Sequence, residues 1–129
     1  MQISEREEEW QTLMQQCAKW SFVAHTSLLF DIRPMQQAFV KASIEFINGA
    51  VLHLREFIDC SESRLVRLSY SYHAQTAHQD LLFRYDNAPH KPPLGFVEHK
   101  HCEDGSIIAS PPPELADILE EMIRVNKFA

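Results

Sequence analysis

The stretch FVKASIEFINGAVLHLREF, residues 39 to 57, alternates apolar and polar side chains on both sides of an Asn48-Gly49 pair. A period of two broken at a turn dipeptide commits the segment to an antiparallel hairpin. Loop length then decides which side chains share a face. A two-residue loop would pair Glu45 with Leu52 and Ile44 with His53, mixing polar and apolar partners on both faces. A three-residue loop of Ile47, Asn48 and Gly49, with Gly49 left-handed in a bulged turn, pairs Ile44 with Leu52 and Ala42 with Leu54 on one face. It pairs Ser43 with His53 and Lys41 with Arg55 on the other. The second register is expected, against the repulsion between Lys41 and Arg55. It puts Glu56 on the apolar face, where desolvation calls for a partner, and Arg84 and the hydroxyls of Tyr70 and Tyr72 are the candidates.

Further strands are expected in RLVRLSYSYH, DLLFRYD and FVEHKH, with WSFVAHTSLLFDI as an edge strand and AQTAHQ as a hairpin loop. In the first of these, Val66, Leu68, Tyr70 and Tyr72 should face one way and Arg67, Ser69, Ser71 and His73 the other. Residues 4 to 19 place Trp10, Leu13, Met14, Cys17 and Ala18 on one helical face, and Ser4 with Glu7 reads as a capping box. Three prolines then precede a second helix in which Pro113 can be the first residue and Leu115, Ile118, Leu119 and Met122 form the apolar stripe. The expected fold is α+β: an antiparallel β-sheet flanked by N-terminal and C-terminal α-helices. With 129 residues, 45% of them hydrophobic, a single domain over 1–129 is expected.

The formal charge of -6 disfavours nucleic acid only if it is spread evenly. It is not: residues 22 to 102 carry eight basic and eight acidic side chains, and the excess of acid lies at the two ends. An anionic ligand is therefore compatible with the middle of the chain. No apolar run approaches the roughly 18 residues that span a bilayer, so the expected location is the cytoplasm, with no membrane partner. Cys17, Cys60 and Cys102 are odd in number and widely spaced, which predicts reduced thiols.

Six of the seven histidines lie between His53 and His101. His99 and His101 are two apart, so on a strand they share a face with Lys100 opposite. Asp86-Asn87-Ala88-Pro89 has turn chemistry. Arg84, Asp86, His99 and His101 are expected to converge on one concavity, because facing side chains on paired strands lie about 5 Å apart.

NGAVLHLREF at 48–57, YSYHAQ at 70–75, FRYDNAPH at 83–90, EHKH at 98–101 and SPPPELADILEE at 110–121 follow one another in that order. In this combination residues 38 to 125 resemble the TumE-like toxins of bacterial toxin–antitoxin loci. Members of that family combine a DGSLLxFREY-like hairpin, a YSYHYQ-like strand, FRYDNAPHH-like and FPHHKH-like segments and an SxPxxLxxxLxE-like terminal helix. Two positions depart from the pattern: Lys91 stands where a second histidine often follows APH, and Val97-Glu98 replaces Pro-His before HKH. No indispensable chemistry is assigned to those positions. The resemblance implies a cytoplasmic toxin with a cognate antitoxin, often a helix-turn-helix protein encoded alongside.

Reaction chemistry has to come from the residues. Metal-independent RNA cleavage needs a base for the 2'-hydroxyl proton, an acid for the leaving 5'-oxygen and cations for the phosphate. His73, Arg84, Asp86, His99, Lys100 and His101 contain that kit, with Asp86 orienting a histidine. Tyr72, Asn87 and His90 are candidate substrate contacts. The leading expectation is an RNA-acting toxin, most simply an endoribonuclease, with no cofactor and no metal ligand assigned. A second reading makes the HxH pair a divalent-metal site completed by His73 and the carboxylate of Glu56 or Asp86. A third gives the domain no catalysis, only partner binding, with the polar cluster a solvated sheet rim.

Overall fold

Seven strands in sequential order make one antiparallel sheet in the computed structural model, which describes residues 1–128. Helix α1 (Ile3–Cys17) precedes β1 (Val23–Arg33), β2 (Gln37–Phe46), β3 (Val51–Asp59), β4 (Val66–Gln75), β5 (Leu81–Asp86), β6 (His99–Cys102) and β7 (Ile107–Ala109), and α2 (Leu115–Asn126) follows. The β2–β3 register is the one that the parity argument demands: Ile44 opposes Leu52, Ala42 opposes Leu54, Ser43 opposes His53 and Lys41 opposes Arg55. Gly49 sits at φ +86°, and a Cβ there would come within 2.6 Å of the Ala77 Cβ, so both backbone and space require glycine.

Both helices cover the same face of the sheet. Trp10, Met14 and Cys17 of α1 and Leu115, Ile118, Leu119 and Met122 of α2 share a single core with Ala42, Ile44, Leu52, Leu54, Tyr72, Ala74 and Phe83 of the strands. Each fully buried large side chain contributes about 1.5–3 kcal/mol. Helix–sheet packing on one side alone leaves the other side of the sheet in water, and that is where most polar strand residues point, Glu56, Arg67 and Lys100 excepted.

Glu56 is 1% exposed on the helix-covered face, as the hairpin parity requires. Of its expected partners Tyr72 is in place, while Arg6 and Trp10 take the positions expected of Arg84 and Tyr70. Arg6 of α1 bonds its two oxygens at 3.3 and 2.5 Å, Trp10 Nε1 donates at 3.0 Å, and the Tyr72 hydroxyl donates at 2.6 Å. Neither Arg84 nor the Tyr70 hydroxyl takes part: Arg84 faces the other side, and Tyr70 donates to Glu98 at 3.1 Å. Burial, then the Glu56 charge, pushes the Tyr72 phenol far above its ordinary value.

Four further expectations are corrected. Helix α1 begins one residue earlier, with Gln2 as N-cap and Glu5 accepting the Gln2 amide at 3.0 Å, because Ile3 is a core residue whose amide is held by Gln36 Oε1. Helix α2 begins at Leu115 behind an extended Glu114, so Pro113 precedes the helix. Its carbonyl accepts from Arg67 at 2.5 Å. Strand β4 does not alternate throughout: a bulge between the Phe57–Ser69 and Ile58–Arg67 pairs leaves Leu68 47% exposed and turns Arg67 to the helix side. The Asn87 side chain holds that bulge, accepting from the Tyr70 amide at 3.0 Å and donating to the Leu68 carbonyl at 3.1 Å. Finally, a three-residue strand, β7, pairs with β6, which makes β6 an inner strand.

Candidate functional site

Strand registers line up two polar rows across the uncovered face. One runs Ser27, Ser43, His53, His73, Arg84, His101 from β1 to β6. The adjacent row runs Lys41, Arg55, Ser71, Asp86, His99 from β2 to β6. At about 4.8 Å between strands, the first row, over six strands, extends roughly 24 Å and the second, over five, roughly 19 Å. Between β1 and β5 the face forms an open groove of about 810 Å³, lined among others by Lys41, His53, Arg55, Ser71, His73 and Arg84.

Its electrostatics are one-sided. Lys41 and Arg55 oppose each other directly and, among the described residues, neither forms an ion pair. Like charges directly opposite each other destabilise a sheet. Arg84 adds a third cation, its Nε held 2.7 Å from Asp86 Oδ2. His73 and His53 face each other with ring centroids 6.3 Å apart. Burial, reinforced by the charge of Arg84, holds the His73 ring below the ordinary imidazole value. Among the described residues, His73 Nδ1 is the one buried side-chain nitrogen or oxygen without a hydrogen-bond partner. No structural bond at that atom locks the ring in one tautomer.

At the β5–β6 end the groove meets a buried cluster. Asp86 is 2% exposed; its Oδ1 lies 2.9 Å from His99 Nε2 and accepts the Ala88 amide at 3.0 Å, while its Oδ2 lies 3.5 Å from His101 Nε2. His90, from the segment between β5 and β6, brings its Nε2 to 2.9 Å from His99 Nε2. Burial by itself would raise the Asp86 carboxyl, but the hydrogen bonds from Arg84 and the Ala88 amide hold it below the usual carboxylate range. Burial lowers the His101 ring, with Asp86 opposing and the His99, His90 and Arg84 charges acting in the same direction as burial.

Arg84, Asp86, His99 and His101 thus converge as expected, and His73 and His90 stand beside them. Three other candidates lie elsewhere. Lys100 projects from the helix face, where its Nζ binds Glu121 at 2.8 Å. Tyr72 is wholly buried on that same face against Glu56. Asn87 is occupied with the β4 backbone. Glu56 is likewise separated from the cluster by the sheet itself, so the metal set of the second sequence reading cannot assemble with it. Lys41, His53 and Arg55 were absent from the sequence candidates. The signal for two of them was the Lys41–Arg55 opposition in the expected register.

A family model described as Toxin TumE matches residues 12–126. The chain belongs to the TumE toxin family. The matched span takes in all seven strands, α2 and both polar rows, but begins after Arg6 and Trp10, so two of the partners of Glu56 lie outside it. Membership of a TumE toxin family implies an antitoxin partner in general. Comparisons with curated proteins and with solved structures give no match. No helix among the described residues is long and apolar enough to cross a membrane.

Proposed function

We propose that this TumE-family toxin acts on RNA, binding it along the uncovered sheet face and cleaving it in the groove beside His73. The observation that carries the reading is the stack of unpaired or outward-facing cations, Lys41, Arg55 and Arg84, flanking two facing imidazoles. A neutral His73 takes the 2'-hydroxyl proton; the 2'-oxygen forms a bond to phosphorus as the bond to the 5'-oxygen breaks. A protonated His53 gives its proton to that 5'-oxygen, leaving a 2',3'-cyclic phosphate and a 5'-hydroxyl. Lys41, Arg55 and Arg84 bear the charge that accumulates on the phosphoryl oxygens. A cognate antitoxin, of the helix-turn-helix kind that the resemblance implies, silences the toxin.

The products decide the chemistry. Purified antitoxin-free protein incubated with a defined single-stranded RNA should leave 2',3'-cyclic phosphate ends. The same oligomer with a 2'-deoxy sugar at the cleaved position should resist. Products ending in 3'-hydroxyl and 5'-phosphate would replace this mechanism with activated-water attack.

Arg55→Thr offers a complementary prediction, because it relieves the Lys41 repulsion while removing a phosphate contact. Stability should rise by about 0.2–1 kcal/mol. The slope of log affinity for a single-stranded RNA against log salt should become shallower by about 0.7. Denaturant titration and RNA binding at several salt concentrations read the two effects separately.

A further inference from the structure

We infer that Asp86, His90, His99 and His101 form a site for a borderline divalent transition metal such as Zn²⁺, which fastens the segment between β5 and β6 to the sheet. The site stands apart from the RNA reading and is tested without it.

One ligand atom from each of the four residues lies within 4.8 Å of all the others. Tetrahedral Zn²⁺ with bonds of 2.0–2.1 Å requires donor atoms about 3.3 Å apart. The separations of 2.9 Å (Asp86 Oδ1 to His99 Nε2) and 2.9 Å (His90 Nε2 to His99 Nε2) lie just below that value, and His101 Nε2 stands 3.5 Å from the other carboxylate oxygen, Oδ2. Three imidazoles and one carboxylate also suit Zn²⁺ far better than Ca²⁺ or Mg²⁺, which take oxygen ligands.

The decisive feature is the orientation of His99. Its Nδ1 lies 2.7 Å from the Val97 carbonyl oxygen, which can only accept, so Nδ1 carries a proton. In the neutral ring the Nε2 lone pair then points at a carboxylate oxygen and at another imidazole nitrogen, each 2.9 Å away. His99 is 1% exposed, so water does not separate these groups. His90 can donate its own N–H to that lone pair, but the Asp86 oxygen cannot, and a shared cation suits the carboxylate and the imidazole nitrogens at once. A proton on His99 Nε2 would serve Asp86 but leave His90 Nε2 facing an N–H that is already engaged. A metal-bound histidine that donates its other N–H to a backbone carbonyl is also the usual arrangement around protein metal ions. Asp86 is similarly fixed from behind by Arg84 Nε and the Ala88 amide.

His90 supplies the only ligand outside the strands. It lies within residues 87–98, a segment with no helix or strand between β5 and β6. Metal at the cluster therefore ties that segment to β6.

The test uses the full chain, stripped with a chelator and dialysed, and Zn²⁺ itself as probe. Calorimetric titration should give one Zn²⁺ per chain, and saturation should raise the thermal midpoint by about 5 °C or more. Co²⁺ should give the visible absorption of a tetrahedral site. His90→Gln, which alters a partly exposed side chain and leaves the strands intact, should weaken Zn²⁺ at least about tenfold and abolish the thermal shift. His78→Gln, in the β4–β5 turn, should change neither. Weak binding that is equal in wild type and His90→Gln would overturn the site. So would nitrogen NMR showing His99 protonated at both ring nitrogens with and without Zn²⁺, since that defines a plain ion pair with Asp86.

Discussion

Replacing Arg6 with alanine should destabilise the fold by about 3–5 kcal/mol and lower the urea midpoint by roughly 2 M. The reason is what remains. Glu56 is buried, and without Arg6 it keeps only the Trp10 and Tyr72 donors, which carry no charge. The pair need not be favourable in itself, because removing two charges from water costs about as much as their attraction returns. The double variant Arg6→Met, Glu56→Leu should accordingly lose less than the single one, about 1–3 kcal/mol, with the orphaned Trp10 N–H and Tyr72 hydroxyl accounting for most of it. A single-variant loss under about 1 kcal/mol would mean that Glu56 is solvated or protonated in the folded protein.

The second large effect falls on activity. His73→Ala should lower the rate of RNA cleavage by about 10²- to 10⁴-fold, the range for a general acid or base. Its cost in stability should stay near 1 kcal/mol, because the ring is only partly buried and its Nδ1 makes no hydrogen bond. The same variant, overproduced in cells, should lose growth inhibition while still binding its antitoxin. The pH dependence follows from the direction of the shift: with His73 held below its ordinary value of about 6.5, the neutral base persists into mildly acidic solution. The acid limb of the wild-type profile should therefore lie below pH of about 6.5. An equal rate in His73→Ala would place the chemistry elsewhere on the chain.

The hairpin was legible because its two faces differ so strongly in polarity that one loop length satisfies both. The same parity puts Glu56 in the core but does not reveal Arg6, although Arg6 precedes Trp10 by one helical turn and so shares its face. Two opposite charges, each on the apolar face of its own element, were a pairing signal across 50 residues. The bulge at Leu68 had no local signal, since the side chain that holds it, Asn87, comes from beyond the next strand. Strand β7 escaped because three residues are too few to show a period. In the site, the polarity of FRYDNAPH and EHKH pointed to the buried cluster, and the parity of EHKH correctly turned Lys100 away from its histidines. What stayed hidden was the row order, which emerges only when five registers are laid side by side: His53 falls into line with His73 and Arg84, and Lys41 and Arg55 fall into line with Asp86 and His99.

The central claim is that RNA lies on the uncovered face of the sheet, and a lysine footprint tests it most directly. The protein is acetylated with a limiting reagent, alone and with a 2'-O-methyl oligoribonucleotide that cannot be cleaved, and the modified lysines are read by mass spectrometry. Lys41, Lys19 and Lys127 are all exposed, but only Lys41 lies in the groove, the other two following the helices on the far side. The account predicts that RNA protects Lys41 and leaves Lys19 and Lys127 unchanged, with the protection fading as salt rises. Unchanged reactivity at Lys41 when RNA is saturating, or protection confined to Lys19 and Lys127, would contradict it.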